Sequence, residues 1–277
     1  MSGRFDGNVV FITGGSSGIG AALGRGFAKE GARVALAARH ADRLDESVGR
    51  IRDAGGDAIP IVCDVRDRSS IDRAVSETLE AFGGIDVAIA NAGFGVSGTF
   101  EALATDDYRR QFDTNVFGAI DTAYAALPAL IASKGRLVFV SSVLGAVGAP
   151  TTSAYCASKF ALCGFAESIY YELAEKGVSV TCINPGMVAS NFRKVDNRGD
   201  VHLGRSESAP AWLVMDTDKA AWKMISAIDK RRFESTITLH GKVAVNLHRH
   251  FPRTVRFLVR IATQGRMADV ERAKRGE

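Results

Sequence analysis

A tyrosine, a lysine and a serine in this 277-residue chain have the types and spacing that proton transfer needs. Tyr155 precedes Lys159 by four residues in "SAYCASK", so on a helix the two side chains share one face. A phenol has an ordinary pKa of about 10, and a nearby ammonium favours the phenolate. We therefore expect Lys159 to lower the pKa of Tyr155. Ser142, which ends "RLVFVSS", can donate its hydroxyl to a substrate oxygen, so the three residues suit a carbonyl or an alcohol.

A glycine-rich loop, "TGGSSGIG" at 13–20, follows the first apolar run and leads into a helical pattern. Glycines permit a tight turn, and the free N–H groups of the next helix can bind pyrophosphate. The spacing Gly14, Gly18, Gly20 departs from the strict G-x-G-x-x-G pattern. Taken alone, the loop is as compatible with a structural turn as with a cofactor site.

The end of the second apolar run bears on the choice of cofactor. A dinucleotide fold that uses NAD(H) has an acid about 20 residues past the glycines. This chain has "LAARH" there, and the Arg39 guanidinium suits a 2′-phosphate. NADP(H) is therefore preferred over NAD(H), the alternative being a solvated arginine. Asp64 in "CDV" can accept from the adenine amino group or cap a turn.

Six short β-branched runs alternate with helical patterns, which predicts the elements that position these residues. The runs are "NVVFIT", "RVALAA", "DAIPIVC", "DVAIA", "RLVFVSS" and "VSVTCIN". Alternating strands and helices imply an α/β fold with a doubly wound, mostly parallel sheet in a single domain. A late strand is predicted at 234–239. The 22 uncharged residues between Arg136 and Lys159 could span a bilayer by length, but Gly145, Gly148 and Pro150 favour a buried strand, a loop and a helix start.

Composition and charge limit the cellular location and the binding partners that we expect. The four cysteines are too sparse for a disulfide scaffold and too far apart for paired metal ligands, so we expect a reducing setting and no metal. The N-terminus lacks a signal-peptide pattern, which favours a cytoplasmic location. The net charge is +4, yet residues 219–277 hold 14 Lys and Arg against 5 Asp and Glu. Nucleic-acid binding is not expected.

The C-terminal residues, 241–277, are predicted to be a basic amphipathic tail on a domain of residues 1–240. Pro252 can occupy the first turn of a helix, so we predict a helix over 252–263. Its arginines Arg253, Arg256 and Arg260 form one stripe, which Arg249 would continue if the helix extends back that far. The opposite side carries Val255, Leu258 and Ala262, flanked by Val259 and Ile261. Such a helix can dock on protein or lie peripherally on anionic lipid, and both alternatives remain open.

Five motifs in chain order together resemble the short-chain dehydrogenase/reductase family over residues 6–240. They are "TGGSSGIG", "NAG" at 91–93, Asn115, the Ser142, Tyr155 and Lys159 spacing, and "NPG" at 184–186. The resemblance implies a Rossmann-type sheet and a catalytic tetrad of Asn115, Ser142, Tyr155 and Lys159. It implies that Tyr155 is the acid/base, that Ser142 positions the substrate oxygen and that Lys159 binds the nicotinamide ribose. Asn115 would hold a water that links Lys159 to solvent.

The resemblance also implies a set of cofactor contacts. Pro185 and Gly186 would lie beside the nicotinamide, Val188 would meet the carboxamide, and Ser190 stands where the family usually has threonine. The full predicted set is Gly14, Ser16, Ser17, Gly18, Ile19, Gly20, Arg39, Asp64, Val65, Asn91, Ala92, Gly93, Tyr155, Lys159, Pro185, Gly186, Val188 and Ser190.

The substrate segment is predicted at about 190–215, with an apolar pocket. Its candidate lining residues, which could equally pack the core or a subunit contact, are Phe94, Val96, Val143, Leu144, Met187, Phe192 and Trp212. An apolar pocket favours a lipophilic ketone, aldehyde or alcohol. The family commonly forms homodimers or homotetramers through helices that here contain 106–131 and 153–175. The alternative function is a nucleotide-binding protein with a membrane or interaction role and little catalysis.

Overall fold

One seven-stranded parallel sheet forms the centre of the protein. The computed structural model describes residues 3–189 and 211–275. Its strands are β1 Val9–Thr13, β2 Arg33–Ala38, β3 Asp57–Val62, β4 Val87–Ala90, β5 Arg136–Val140, β6 Ser179–Asn184 and β7 Glu234–Thr236. They pair in the order β3-β2-β1-β4-β5-β6-β7, and every pairing is parallel. The predicted α/β fold with a doubly wound sheet is confirmed.

Helices connect the strands and cover both faces of the sheet. They are α1 Gly18–Lys29, α2 Ala41–Asp53, α3 Arg68–Phe82, α4 Thr105–Phe112, α5 Gly118–Ser133, α6 Ser153–Ala174, α7 Thr217–Asp229, α8 Leu239–His250 and α9 Pro252–Arg275. A π-helical turn, Asp113–Phe117, joins α4 to α5, and short 3₁₀ turns include Val143–Gly145. Each parallel pair needs such a crossover, because its two strands run in the same direction.

Alternate residues of each strand enter opposite halves of the core. Val10 and Ile12 of β1 pack in a cluster that includes side chains of α1, α2 and α7. Val9 and Phe11 pack in the other cluster, with side chains of α3, α5 and α6. Burial on both faces explains why the strands are almost continuously apolar in sequence, and each fully buried large side chain contributes about 1.5–3 kcal/mol.

The chain reverses its winding direction between β1 and β4. β1 pairs with β2 on one side and with β4 on the other, although β2 and β3 lie between them in the sequence. Ligands of open α/β sheets bind beside the carboxyl ends of the strands at such a switch point. The loops that follow β1 and β4 therefore define where a nucleotide site is expected.

The uncharged residues between Arg136 and Lys159 form a strand, a loop and a helix start, as predicted. β5 takes the first five residues and α6 begins at Ser153. Among the described residues, the helical run Thr105–Ser133 is the one that is long and apolar enough to cross a membrane by length and composition. The core helix of a globular protein passes the same test, and Ala126 and Leu130 of this run are buried against the sheet.

The C-terminal residues are more ordered than the predicted tail. β7 ends at Thr236 rather than at Leu239, and α8 follows where no helix was predicted. The predicted boundary at residue 240 falls inside α8, whose Gly241 and Val245 are buried. α9 begins at Pro252 as predicted, because its missing N–H costs little in a first turn, but extends to Arg275 rather than to residue 263.

Candidate active site

The glycine loop after β1 is held in a shape that fits a phosphate group. Gly14 has φ +69°, and a Cβ at this position would lie 2.8 Å from the Cα of Ala92. A Cβ at Gly20 would lie 2.2 Å from the Gly14 carbonyl oxygen, so both positions need glycine. The Ser17 side chain makes no cap bond to α1, whose first turn contains no acidic residue. The exposed N–H groups at this helix start can therefore bind an anion.

Asn91 braces the glycine loop from the end of β4. Its Nδ2 donates to the carbonyl oxygens of Thr13 at 2.9 Å and Gly14 at 3.2 Å. The Thr13 hydroxyl accepts from the backbone N–H groups of Asn91 and Ala92 at 3.1 and 3.3 Å. These bonds join the ends of β1 and β4. A cavity lies beside the two strand ends, and the predicted residues Asn91, Ala92 and Gly93 line it.

The same cavity extends to the ends of β2 and β3, where basic side chains gather. Ala38 and Arg39 line it together with Asp64 and Val65. Sequence reasoning did not identify six further lining residues, which are His40, Arg43, Cys63, Arg66, Arg110 and Thr114. Arg43 could have been found, because it lies in the first turn of α2, the helix that follows Arg39 in the chain.

Asp64 is already engaged by a neighbouring arginine. Arg66 donates from Nε to Oδ1 at 3.1 Å and from Nη2 to Oδ2 at 2.7 Å. This ion pair holds the pKa of the Asp64 carboxyl below its ordinary value, against the opposing effect of burial. The predicted contact with an adenine amino group would have to share the carboxylate with Arg66.

Tyr155, Lys159 and Ser142 meet at the carboxyl edge of the sheet. Tyr155 and Lys159 lie one turn apart on α6, with the Lys159 Nζ 5.8 Å from the centroid of the Tyr155 ring. Lys159 is buried, and its Nζ donates to the Val140 carbonyl oxygen at the end of β5 at 2.8 Å. Ser142 follows β5 by two residues, and its hydroxyl is close enough to the Tyr155 phenol to lower the pKa of that phenol. The predicted trio is therefore brought together.

The surroundings shift the pKa of Tyr155 in the direction opposite to our prediction. Burial raises the pKa of its phenol to about 12, and the hydrogen bond with Ser142 offsets this only in part. Burial also lowers the pKa of the Lys159 ammonium to about 8. Lys159 does not overcome the desolvation of the phenol, because its ammonium is bonded to the Val140 carbonyl and lies 5.8 Å from the ring centroid. The Tyr155 hydroxyl is thus protonated at neutral pH.

Asn115 lies in the π-helical turn and binds the chain that leaves β4. Its Oδ1 accepts from the Phe94 N–H at 3.1 Å, and its Nδ2 donates to the Phe94 carbonyl oxygen at 3.0 Å. The same Nδ2 lies 3.3 Å from the Ser158 hydroxyl of α6, next to Lys159. The side chain therefore joins the β4 loop to the helix that carries Tyr155, and the predicted bond of Asn115 to a water stays a prediction.

The loop after β6 completes the row of strand ends. The Val143 N–H donates to the Pro185 carbonyl oxygen at 2.9 Å, which places Gly186 and Val188 beside the loop that contains Ser142. Val188 forms a parallel bridge with Met215. Two predicted residues, Ser190 and Phe192, lie outside the described residues, as does most of the predicted substrate segment.

Comparison with known proteins shows the family to which the chain belongs. A profile described as short chain dehydrogenase matches residues 8–200 of the chain. The chain belongs to the short-chain dehydrogenase/reductase family. This membership makes it an oxidoreductase that acts on CH–OH groups.

Individual relatives agree with the family assignment. Ketoacyl reductase HetN of Nostoc is 34% identical over 242 residues, which cover 87% of this chain and 82% of that protein. A short-chain dehydrogenase/reductase of Burkholderia phymatum in complex with NAD has a TM-score of 0.81 at 25% identity, covering 91% of this chain and 96% of its own. An alcohol dehydrogenase of Thermococcus sibiricus complexed with 5-hydroxy-NADP has a TM-score of 0.73 at 25% identity, covering 83% and 96%. A nicotinamide cofactor is therefore supported for this dehydrogenase/reductase.

The predicted apolar lining residues of this dehydrogenase/reductase differ in their exposure. Val96 is fully buried and packs with Phe94 and Ala154, so it serves a small core cluster rather than an open pocket. Phe94 also lines the cavity at the β4 end. Val143, Leu144 and Met187 are half-buried, whereas Trp212 is 82% exposed. Three of the seven candidates thus keep partly open side chains next to Ser142 and Gly186.

Two cysteines that are distant in sequence meet behind Lys159. The Cys163 and Cys182 sulfur atoms lie 3.6 Å apart, and the Ser141 hydroxyl lies 3.2 Å from the Cys163 sulfur. Hydrogen bonding from Cys182 lowers the pKa of Cys163 to about 7, while the same bond and, after it, burial raise the pKa of Cys182. All four cysteines are free thiols.

Proposed function

We propose that the protein is an NADP(H)-dependent oxidoreductase that interconverts a lipophilic ketone or aldehyde and the corresponding alcohol, with Tyr155 as acid/base. The observation that carries the proposal is the meeting of Tyr155 with Ser142, whose hydroxyl lowers the pKa of the phenol, and with buried Lys159 one turn along α6. The three residues lie at the sheet edge where the glycine loop offers free N–H groups.

Each side chain of the site has a separate role in the proposed reaction. The nicotinamide would supply or accept hydride when it is bound. Ser142 donates its hydroxyl to the substrate oxygen and keeps it beside Tyr155. The raised pKa keeps the Tyr155 hydroxyl protonated at neutral pH, so it can donate a proton to the oxygen during carbonyl reduction. Lys159 would bind the nicotinamide ribose and stabilise the phenolate that this donation leaves. Asn115 supports both groups by joining the β4 loop to α6.

The cofactor would lie along the strand ends. The glycine loop residues Gly14, Ser16, Ser17, Gly18, Ile19 and Gly20 would hold its pyrophosphate, and Asn91, Ala92 and Gly93 would flank it. Asp64 and Val65 would meet the adenine, and Pro185, Gly186, Val188 and Ser190 would meet the nicotinamide. Arg39, His40 and Arg43 favour a 2′-phosphate, because they place basic groups at the β2 end, where an NAD(H) enzyme has an acid.

A lipophilic substrate is favoured by the side chains that stay partly open near Ser142. Val143, Leu144 and Met187 are apolar and half-buried, and they would present hydrocarbon rather than hydrogen-bonding groups to the substrate. The name of the Nostoc relative, a ketoacyl reductase, agrees with an acyl-chain ketone. A sugar would need more polar partners than this lining offers.

A turnover screen tests the proposed function. Purified protein is mixed with NADPH or NADH and with ketones of one chemical series and increasing chain length, and cofactor oxidation is followed optically. We expect turnover that rises with chain length and is faster with NADPH. A preference for short polar ketones would contradict the proposed substrate class, and no oxidation of either cofactor with any ketone or aldehyde would contradict the reaction.

A homodimer or homotetramer is further supported by apolar faces on α5 and α6. Phe117, Tyr124 and Ile131 are exposed at seven-residue spacing, so they share one side of the helical run. On α6, Phe160 and Tyr171 are exposed, and a Cβ at Gly164 would meet nothing within 4 Å. The small residues Ala157 and Gly164 are therefore not buried against the sheet, and they leave room for a second helix.

The variant Gly164→Arg should convert the oligomer to a monomer. The arginine would point into open space within the subunit but would collide with a partner helix on the same face. Light scattering should give a mass of two or four chains for the wild type and of one chain, 29.5 kDa, for the variant. The control Gly49→Arg, at another helical glycine with nothing within 4 Å, should leave the mass unchanged. A wild-type protein that is monomeric at micromolar concentration contradicts the proposal.

Peripheral contact with anionic lipid is proposed for the basic apolar surface, which we define as the exposed side chains of residues 239–263, in α8, in the first half of α9 and at Phe251 between them. Its apolar members are Leu239, Val243, Leu247, Phe251, Phe257, Leu258 and Ile261, all 46–76% exposed. Residues 239–263 contain five Lys and Arg and no Asp or Glu. Apolar side chains with a surplus of positive charge suit a lipid surface of negative charge.

The arginine stripe of this surface is shorter than predicted. α8 ends at His250, and the helical backbone is interrupted at Phe251. Arg249 therefore does not continue the arginine stripe of α9. Its Nη2 is instead 2.6 Å from an oxygen of Glu234 in β7. The apolar side of α9 also differs, because Val255 and Val259 are half-buried while Leu258 and Ile261 are exposed.

Vesicle sedimentation tests the lipid proposal. We expect salt-sensitive binding to anionic vesicles that is lost when residues 252–277 are removed, a cut that spares the buried Val245. The double variant Leu258→Gln/Ile261→Gln should weaken binding by about tenfold or more, since each buried apolar side chain contributes roughly 1.5–3 kcal/mol. Thr254→Gln, an exposed polar position on the same helix, is the matched control. Equal binding by the double variant and the control would leave only docking against protein.

A further inference from the structure

We propose that His240 is a positioning residue that holds the loop Pro185–Ala189 in the shape that binds the nicotinamide end of the cofactor. This inference rests on the proposed function, because it assumes that the loop meets the nicotinamide. His240 lies in the first turn of α8, the helix that follows the last strand. None of the proposed catalytic residues lies on this helix. His240 would act through the backbone of the loop and would not touch the reacting atoms.

The His240 ring contacts the loop at its tightest point. Its Nε2 accepts from the Met187 N–H at 3.2 Å. A Cβ at Gly186 would lie 2.5 Å from the same nitrogen and 2.2 Å from the Thr238 hydroxyl oxygen, so only glycine allows this approach. The ring therefore packs directly against the backbone that follows Pro185.

The hydrogen bonds around the ring define which nitrogen carries the proton. The Thr238 hydroxyl accepts from the Gly241 N–H as the cap of α8, and it lies 3.2 Å from the His240 Nε2. With the Met187 N–H and this hydroxyl both directed at Nε2, that nitrogen is the acceptor and the proton of the neutral ring is on Nδ1. Burial lowers the pKa of His240, and the start of a helix also disfavours a cation, so the ring stays neutral.

The loop is fixed on its other sides by different contacts. The Pro185 carbonyl oxygen accepts from the Val143 N–H at 2.9 Å, and the Met187 carbonyl oxygen accepts from the Met215 N–H at 2.9 Å. The Thr217 hydroxyl donates to the Ala189 carbonyl oxygen at the far end. His240 supplies the contact between these ends, at Gly186 and Met187. Loss of its acceptor would free the Met187 N–H and the segment that faces the cofactor.

α8 also contacts the other side of the catalytic centre. A Cβ at Gly241 would lie 2.6 Å from the Val143 Cγ2, next to Ser142. One short helix start thus touches both the β5 loop and the β6 loop. This placement explains why a residue so far along the chain can control the geometry between the serine and the nicotinamide loop.

Two amide substitutions separate the acceptor role from simple space filling. In His240→Gln, the side-chain oxygen is as many bonds from Cβ as Nε2 and can still accept from the Met187 N–H. In His240→Asn, the oxygen corresponds to Nδ1 and cannot reach it. Equilibrium titrations with NADPH, or with NADH if that binds more tightly, are compared with titrations of the matching fragment without nicotinamide, 2′-phospho-ADP-ribose or ADP-ribose. Thermal melts check that both variants fold.

We expect His240→Asn to bind the whole cofactor about tenfold more weakly, with His240→Gln near the wild type and fragment binding equal in all three proteins. Equal cofactor binding by all three proteins overturns the role of His240 while the proposed function stands. Equal weakening of cofactor and fragment in His240→Asn also overturns it, since this indicates a general structural defect. A failure of His240→Gln to restore binding rejects the acceptor role. If the wild type binds neither cofactor, the proposed function fails and this inference with it.

Discussion

Tyr155→Phe should lower turnover by about 10²–10⁴-fold, the usual contribution of a general acid or base, and should leave cofactor binding nearly intact. The substitution removes the hydroxyl that interacts with Ser142 and keeps the ring beside Lys159. Steady-state kinetics on an accepted ketone gives the turnover, and equilibrium titration with the cofactor gives the binding constant.

Tyr171→Phe is the matched control for this variant. It makes the same chemical change on the same helix, at a side chain that is 65% exposed and far along α6 from Ser142. We expect wild-type turnover from it. If Tyr155→Phe retained the wild-type rate, or if both variants lost activity equally, Tyr155 would not be the acid/base.

The pKa of Tyr155 also predicts how each direction depends on pH. A phenol with a pKa near 12 is protonated at neutral pH, so it is ready to donate a proton to a carbonyl. Alcohol oxidation needs the phenolate, whose fraction grows as the pH rises toward that value. The oxidation rate should therefore increase with pH over the alkaline range, whereas the reduction rate should fall there. Initial rates in both directions, measured across the pH range where the protein stays folded, check the sign.

Arg39→Ala should weaken NADPH binding by about one to two decades and NADH binding much less. A hydrogen bond to a charged group contributes about 1.5–3 kcal/mol, and each 1.4 kcal/mol corresponds to about tenfold in affinity. Arg39 lines the cavity at the end of β2, where an adenosine 2′-phosphate would carry its charge. Titration of the wild type and the variant with both cofactors measures the change in the affinity ratio.

Arg50→Ala controls for loss of positive charge in the same region. Arg50 lies on α2 and pairs with Glu46 at the surface, outside the cavity, so its removal should leave the ratio unchanged. Equal weakening of NADPH and NADH binding by Arg39→Ala would refute a specific 2′-phosphate contact. Arg43, the basic residue of α2 that lines the cavity, would then be the next candidate.

The sequence was sufficient to predict the parallel sheet and to predict that Ser142, Tyr155 and Lys159 lie close together. Strands buried on both faces leave continuous apolar runs, and the four-residue spacing of Tyr155 and Lys159 defines their shared face. The pKa of Tyr155 could not be inferred from that spacing. The pKa of Tyr155 depends on which group binds the Lys159 ammonium. That group is the Val140 carbonyl oxygen, which lies 19 residues away in the chain.

Contacts between distant parts of the chain account for what sequence reasoning missed. α8 was not predicted because its outward side is apolar too, with Leu239, Val243 and Leu247 exposed, so it lacks the usual contrast between faces. The condition under which Arg249 would extend the arginine stripe is not met, because the helix is interrupted at Phe251, the residue before Pro252, where a helix boundary is common. The bond between His240 and Met187 joins residues 53 positions apart, which no local pattern reveals.

Transfer of deuterium from the cofactor to the substrate carbon tests the central claim most directly. NADPH that carries deuterium at both positions of the reactive carbon of the nicotinamide, so that either face delivers the label, is incubated with the protein and the best ketone from the turnover screen, and the product is analysed by mass spectrometry. We expect an alcohol that is one mass unit heavier than the unlabelled product, formed in equal amount to the NADP⁺ that appears, and greatly reduced product with Tyr155→Phe. An alcohol without deuterium, or cofactor oxidation without alcohol, would contradict hydride transfer between a nicotinamide and a carbonyl in this site.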